Sequence, residues 1–433
     1  MAAAPSPSER LEALLREAVA AGATDLHLEP REPGLDIRHR IDGRLLHLRF
    51  LEEGLRESVI QAAKIAGAMD IAERRLPQDG QGLLAAEGRR YHLRFSCLPA
   101  INGEAVVVRI IDERAGVRTF AEMGLLPAEV ALLGQLLALP HGLVYVTGPT
   151  GAGKTTLLYS MLNALPPQEI DALKIITLED PVEARHPRFF LQIGVDERIG
   201  RTFDGLLRHV LRHDPDVLLI GETRDRATAE ITLKAALTGH LCFSTLHTPD
   251  ALGAIGRLRD LGLDPLMMAS ALKGVIAQRL VRRPCAECRR PHPQNDLLLA
   301  RFRPLLAPAG MPPGPLGFVA AGEGGCAACR GRGYRGRTAI VEIFPLRGHE
   351  RLVAQAGGAA ALLARLRAQG CRTLFEDGVR KAALGLTTIE EVYAAIEEPG
   401  ANGGCYHPPP CIPSPGRIPG QDSPSSRSSP SWR

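Results

Sequence analysis

Residues Gly148, Pro149, Thr150, Gly151, Ala152, Gly153, Lys154 and Thr155 fit the pattern G-x-x-x-x-G-K-[ST] at every position. Such a loop turns backbone N–H groups inward around phosphate oxygens, and the helix that follows adds the positive end of its dipole. In this pattern the lysine reaches the β- and γ-phosphates and the hydroxyl of Thr155 ligates Mg²⁺, with Thr156 next in the first helical turn. The chemistry is nucleoside triphosphate binding. Turning the nucleotide over needs acids as well. The run 216–222 is an apolar strand that ends in Glu222, and the run 174–181 ends in Glu179 and Asp180, after which Pro181 stops it. In a doubly wound sheet the ligand sits off the carboxyl ends of strands, which puts Glu222 beside the loop, able to orient water or support Mg²⁺. Asp216 falls at the wrong end of its strand and reads as structural. A third run, LCFSTL, is bracketed by His240 and His247. His247, at its carboxyl end, is the one placed to sense a γ-phosphate.

A second constellation is made of sulfur. Cys285 and Cys288 form one CxxC pair, and Cys326 and Cys329 another. Each pair makes a knuckle that aims two thiolates at one ion, and four thiolates suit a closed tetrahedral Zn²⁺ site with no open catalytic position. Cys97, Cys242, Cys371, Cys405 and Cys411 stand alone, and nine cysteines in 433 residues are too few for a disulfide scaffold.

The elements that must hold these groups can be read coarsely. Residues 11–21 have helical spacing, and short alternating runs follow (DLHLEP, GLDIRHRIDGRLLHLRF, RRYHLRFSCLP, EAVVVRIID), which predicts a mostly antiparallel sheet with flanking helices over 1–116. From LVYVT (143–147) onward, buried-looking strands alternate with helical segments, the pattern of a largely parallel sheet covered on both faces. Residues 284–337 are rich in Pro, Gly, Arg and Cys, and helical periodicity returns over 350–397. From 401 on, 19 of 33 residues are Pro, Ser or Gly, a composition that cannot bury enough to order itself. The one Trp, Trp432, lies there, so a folded body without Trp is expected.

Composition bounds the rest. Hydrophobic residues are 45% and charged residues 23%, which excludes wholesale disorder. The formal net charge of +4 neither demands nor excludes an anionic partner. No apolar run reaches eighteen residues and the first twenty carry Glu9, Glu12 and Glu17, so a cytoplasmic protein without a secretory leader is expected, its membrane association coming through partners alone.

Taken together the segments resemble one family, the ATPases of type II secretion and type IV pilus assembly. GPTGAGKTTLLY matches its phosphate loop, ITLEDPVE (176–183) its aspartate box, LRHDPDVLLIGETRD (211–225) its Walker B region and TGHLCFSTLHT (238–248) its histidine box. AQRLVRRPCAEC and GYRGRTAIVEIF are also similar, as are ATDLHLEP, RHRIDG and RLPQDG in the amino-terminal block. The resemblance covers about residues 10–397. It implies an α/β protein with an amino-terminal PAS-like domain (1–116), a RecA-like ATPase core (117–283), a tetracysteine zinc subdomain (284–345), a helical subdomain (346–399) and a disordered tail (400–433). It further implies ATP, Mg²⁺ and structural Zn²⁺ as ligands and a homohexameric ring. Partners would be an inner-membrane platform protein and other secretion or pilus components, with no nucleic acid. Residue by residue, Glu179 becomes the aspartate-box acid, Glu222 the Walker B glutamate, and His240 and His247 the histidine-box pair. Arg94 and Arg109 match two arginines that reach the γ-phosphate from the amino-terminal domain. Gln81 departs from the arginine that often follows QDG, and Thr24 replaces the usual serine. Longer members carry a further amino-terminal domain that docks on the inner-membrane machinery, and this chain opens almost at the second domain. The tetracysteine cluster is typical of assembly and secretion motors rather than retraction motors.

Two other readings compete. Arg279, Arg282, Arg283, Arg289 and Arg290 flank the first CxxC and would suit a DNA-translocating ATPase tracking phosphates, although aromatic stacking residues are scarce there. A regulatory relative that binds nucleotide with little turnover would fit the change at Gln81, against the retention of Glu179, Glu222, Arg94 and Arg109.

Overall fold

The computed structural model describes residues 5–112, 118–165, 167–182, 190–306, 314–355 and 357–396. The tail expected to be disordered, 400–433, and the expected boundary at 116 lie outside the described residues.

The first helix, Pro7–Ala21, starts where Ser6 Oγ accepts the Glu9 N–H and Glu9 returns a bond to the Ser6 N–H, and it ends at Gly22 with φ 71°. Its buried stripe is Leu11, Leu14, Leu15, Ala18 and Val19. Six strands then build one antiparallel sheet in the order Arg44–Leu51, Gly34–Ile41, Ala23–Arg31, Gly103–Asp112, Arg89–Ala100, Gln78–Ala86. The alternation seen in the sequence sorts its two faces. Leu26, Leu28, Leu35, Ile37, Phe95, Val106 and Val108 are buried in one core with helices Pro7–Ala21 and Glu53–Ala66. Asp25, Arg94 and Arg109 fall on the opposite, charged face, where Arg94 stands directly across from Arg109.

The second sheet has seven strands in the order Tyr334–Pro345, Leu272–Pro284, Gly142–Thr147, Leu241–Leu246, Val217–Ile220, Ile175–Glu179, Leu191–Gly194. Every neighbouring pair is parallel except the first. The inner strands Gly142–Thr147, Val217–Ile220 and Leu241–Leu246 are buried at every residue, as parallel strands covered on both faces must be. Two apolar cores flank the sheet, one around Leu143, Leu218 and Phe344, the other around Val144, Leu157 and Phe243.

Two long strands were not foreseen in the sequence. Leu272–Pro284 passes from apolar to arginine-rich halfway along, and Tyr334–Pro345 sits beyond the Gly- and Cys-rich stretch. They pair antiparallel from Gly274 opposite Pro345 to Pro284 opposite Tyr334. The expected limits at 283 and 345 therefore divide the chain differently from the sheet, because the residues closing the cysteine stretch return as its outer strand. Helix Leu374–Ala383 is pinned to that strand by Lys381. This side chain has no exposed surface, and its Nζ lies 2.9 Å from Glu129 Oε2, Asp377 Oδ2 and Ala339 O. The two sheets meet near the cysteines, where the Gly336 N–H donates to Asp42 Oδ2 at 3.1 Å and the Arg330 guanidinium to Ala20 O at 3.2 Å.

Candidate nucleotide site and tetracysteine centre

The register of the parallel strands decides what shares an edge. Thr147 lies beside Leu246, and Ile220 beside both Ser244 and Leu178. The segments that leave these ends are the glycine loop, His247, Glu222 and Glu179, all on one side of the sheet. His240 precedes its strand at the other end, where its carbonyl accepts the Gly142 N–H and its Nδ1 lies 2.9 Å from Ala235 O. Six strand residues lie between the two histidines, seven steps or about 23 Å. His240 is thus not brought to the site within this chain. Asp216 is at the far end too, accepting the Lys174 N–H at 2.7 Å.

The loop itself has the conformation that phosphate binding requires. Gly148, Gly151 and Gly153 have positive φ, and helix Lys154–Asn163 starts directly after Gly153. Gly148 has a second reason to be glycine, since a Cβ there would meet Gln278 O at 2.5 Å. Lys154 Nζ folds over the loop and donates to Gly148 O at 2.7 Å and Pro149 O at 3.1 Å, so it already overhangs the cradle a phosphate would occupy. Thr155 and Thr156 occupy the first turn, and Thr155 offers the hydroxyl that suits Mg²⁺.

Glu222 is the hub of the acids. Arg224 pairs with its Oε1, and His247 Nε2 lies 3.6 Å from its Oε2. Arg224 also reaches Asp180 Oδ2 at 3.5 Å and so ties the two acidic strand ends together. Burial and the Lys154 charge push the His247 pKa below 6.5, against the opposing pull of Glu222. Glu179 is almost fully buried. It is held by neutral donors: Tyr159 OH bonds Oε2, Thr177 Oγ1 lies 2.7 Å and Gln192 Nε2 3.1 Å from Oε1. Tyr159 comes from the loop's own helix, so this carboxylate joins that helix to the aspartate-box strand.

Arg94 and Arg109 lie on the first sheet. Together with Asp25, Asp79, Gln81 and Ser96 they line a groove of about 390 Å³. Arg109 Nε donates to Asp25 Oδ1 at 3.0 Å, and Thr24 Oγ1 donates to Asp25 Oδ2 at 2.7 Å. The departures at Thr24 and Gln81 thus surround the two arginines. Gln278, missed in the sequence, lies under the glycine loop; its only sequence signal was its place in the segment AQRL.

The four cysteine sulfurs lie within 4.8 Å of one another. Cys285–Cys326, Cys326–Cys329 and Cys288–Cys329 are 3.7, 3.8 and 3.9 Å apart. Four thiolates at a Zn–S distance near 2.3 Å stand about 3.8 Å apart at tetrahedral corners, so the set fits zinc. Burial opposes thiolate formation at Cys329, but N–H groups of Cys326 and Gly333, each 3.1 Å from its sulfur, bring its pKa down to about 6. Gly322 is needed for closure, since a Cβ there would meet Cys288 O at 2.4 Å.

A parallel α/β sheet with a phosphate loop after one inner strand and acids after its neighbours defines a P-loop nucleoside triphosphatase fold. The chain belongs to the type II/IV secretion system protein family, whose model matches residues 4–394. It is 42% identical over 383 residues to the type II secretion system protein HxcR of Pseudomonas aeruginosa, covering 88% of this chain and 76% of that protein. It is 39% identical over 388 residues to the type II secretion system protein E of the same organism, covering 90% and 75%. With the type IV pilus assembly ATPase PilB of Myxococcus xanthus it shares 40% over 382 residues, covering 88% and 66%. Among solved structures the Legionella pneumophila ATPase DotB superposes with a TM-score of 0.64 at 20% identity, covering 91% of this chain and 96% of that one. The pilus retraction motor PilT with bound ADP gives 0.55 at 24% identity, covering 90% and 97%. No helix among the described residues is long and apolar enough to cross a membrane.

Proposed function

We propose that this chain is a Mg²⁺-dependent ATPase motor that powers pseudopilus or pilus assembly, working as a homohexamer on the cytoplasmic side of the inner membrane and held there by platform proteins. The observation that carries this is the gathering of Lys154, Glu222 and His247 at one sheet edge in a chain of this family. In this reading residues 117–283 are a RecA-like core and residues 1–116 a PAS-like block.

In the proposed mechanism the glycine loop binds the triphosphate with its N–H groups, and Lys154 transfers its hydrogen bonds from Gly148 O and Pro149 O to phosphate oxygens. Thr155 would hold Mg²⁺, which when bound neutralises charge on the β- and γ-phosphate oxygens. Glu222, kept in place by Arg224, orients the attacking water. His247 meets the γ-phosphate side as a neutral imidazole. Glu179 fixes the loop's helix through Tyr159. Arg94 and Arg109 supply cationic charge to the phosphoryl group in transit, a contribution worth roughly 10³–10⁵ in rate in related enzymes. The tetracysteine centre is structural, holding zinc.

The DNA-translocase reading loses ground on one observation: three of its five arginines are engaged within the chain. Arg279 bonds Gln278 O and Pro249 O, Arg282 pairs with Glu391, and Arg289 donates to Gly385 O. The test is steady-state Mg·ATP hydrolysis by the full chain, with and without duplex DNA, beside Lys154→Ala, Glu222→Gln and Arg109→Ala. Lys154→Ala should abolish turnover, Glu222→Gln should lower it at least a hundredfold while nucleotide still binds, and Arg109→Ala should cut hydrolysis more than binding. A Lys154→Ala protein as active as wild type ends the proposal, and strong stimulation by DNA transfers it to the translocase.

A further inference from the structure

Two consecutive residues of strand Leu272–Pro284 touch the nucleotide site from a strand that carries no part of its motifs. Gln278 has no exposed surface. Its Nε2 donates to the carbonyl of Ala152, inside the glycine loop, at 2.6 Å, and a Cβ on Gly153 would lie 2.8 Å from the same nitrogen. Its Oε1 is buried without a hydrogen-bond partner, a cost borne at one of the most tightly packed points of the loop. The neighbouring Arg279 turns the other way along the site. Its Nη1 donates to Gln278 O at 3.1 Å and its Nη2 to Pro249 O, the second residue after Thr248's predecessor His247. The His247 loop is also tied at Thr248, whose hydroxyl lies 2.7 Å from Thr147 Oγ1 and whose N–H donates to the same oxygen at 2.8 Å.

We infer that Gln278 and Arg279 are positioning residues for ATP hydrolysis with separable tasks: Gln278 fixes the glycine loop that binds the phosphates, and Arg279 fixes the loop that presents His247 to them. This rests on the proposed ATPase reading. The separation follows from what each side chain holds. A phosphate loop freed at Ala152 must be ordered when nucleotide binds, so its loss weakens binding. A His247 loop freed at Pro249 leaves the phosphate cradle intact, so its loss slows turnover.

The experiment uses the full chain and a fluorescent N-methylanthraniloyl ATP as binding probe, with Mg·ATP hydrolysis measured in parallel. Gln278→Met keeps the volume and removes the donor; it should raise Kd about tenfold with kcat within about twofold, as expected for a buried carbonyl left without its hydrogen bond. Arg279→Met should lower kcat at least about tenfold with Kd within about twofold, and Arg279→Lys, which can still reach one carbonyl, should recover part of it. Hydrogen exchange read on the same proteins should rise over residues 148–156 in the Gln278 variant and over 247–250 in the Arg279 variant. A role in folding alone predicts parallel losses in Kd and kcat with lowered melting temperature and exchange raised throughout; that outcome, or unchanged parameters in both variants, overturns the inference. If Gln278→Met does not fold, Gln278→Asn, whose amide is one methylene too short, must give the same rise in Kd and local exchange. A wild-type protein that neither binds nor hydrolyses ATP would sink the proposed function, and the two exchange patterns would still decide whether the residues hold the loops.

Discussion

At the residue scale the site is a balance of charges within a few ångströms. His247 lies between the Glu222 carboxylate, 3.6 Å away, and the Lys154 ammonium. Desolvation and Lys154 outweigh Glu222, so its pKa falls below 6.5 and the ring is neutral at pH 7. A neutral imidazole can donate to a phosphate oxygen without adding charge. In an NMR titration, with the resonance assigned through His247→Gln, the midpoint of His247 should fall below 6.5; a midpoint above that value would show that Glu222 dominates. Which of these residues could be read from the chain follows from how their contacts are spaced. The glycine loop is contiguous, so eight residue types in order suffice. Glu222 and His247 were legible because each follows an apolar strand and the carboxyl ends of parallel strands converge. His240 carried the same label as His247 and belongs to the opposite edge. Gln278 was invisible because its partner Ala152 is 126 residues away and no pattern joins them. Tyr159 and Gln192 hold Glu179 from separate elements and share that difficulty.

At the scale of elements, Glu342 on strand Tyr334–Pro345 shows how the outer strand organises helices. Its two carboxyl oxygens accept the N–H groups of Ala251 at 2.9 Å and Leu374 at 3.1 Å, the first residues of helices Ala251–Asp260 and Leu374–Ala383. Burial nevertheless pushes its pKa up to about 7, outweighing those two bonds. The folded chain therefore keeps a proton that the unfolded chain releases near 4.5, and stability from this group declines as pH rises from there to about 7, then levels. Melting temperatures of wild type and Glu342→Gln, followed from pH ~5 to ~8, should diverge in favour of the variant as pH rises. A constant difference would mean that Glu342 titrates normally. The antiparallel alternation of the first sheet and the apolar runs of the second were legible because a strand's period records which faces are buried. Leu272–Pro284 and Tyr334–Pro345 escaped notice because each mixes arginine with apolar residues, their polar positions being used for contacts such as Arg282 with Glu391.

For the whole molecule, residues 1–397 form one compact unit, and the tetracysteine centre lies where its parts meet. Cys285 directly follows the strand under the glycine loop, while Arg332, three residues past Cys329, lies 3.6 Å from Asp42 in a turn of the first sheet. Metal binding should therefore stabilise more than the knuckle. The purified protein should carry about one Zn²⁺ per chain, and a chelator or Cys288→Ser should remove it and lower the melting temperature of the whole unit. Metal analysis finding none in folded protein, or a melting curve indifferent to chelation, would contradict this. The four cysteines were legible as a pair of CxxC knuckles, but their attachment to the first sheet was not, because it runs through Asp42, nearly three hundred residues away from Gly336 in sequence.

Strand Leu272–Pro284 has an architectural consequence. It is paired with Gly142–Thr147 from Leu272 to Ala277 and with Tyr334–Pro345 from Gly274 to Pro284, so hydrogen bonds hold it along its whole length. Gln278 and Pro284, the residue before Cys285, are six residues apart on it, about 20 Å at the rise of a strand. The strand thereby places the cysteine knuckle and the floor of the phosphate cradle on one continuous backbone. Two distant chemistries, one of sulfur and one of phosphate, thus share a single strand as their common support.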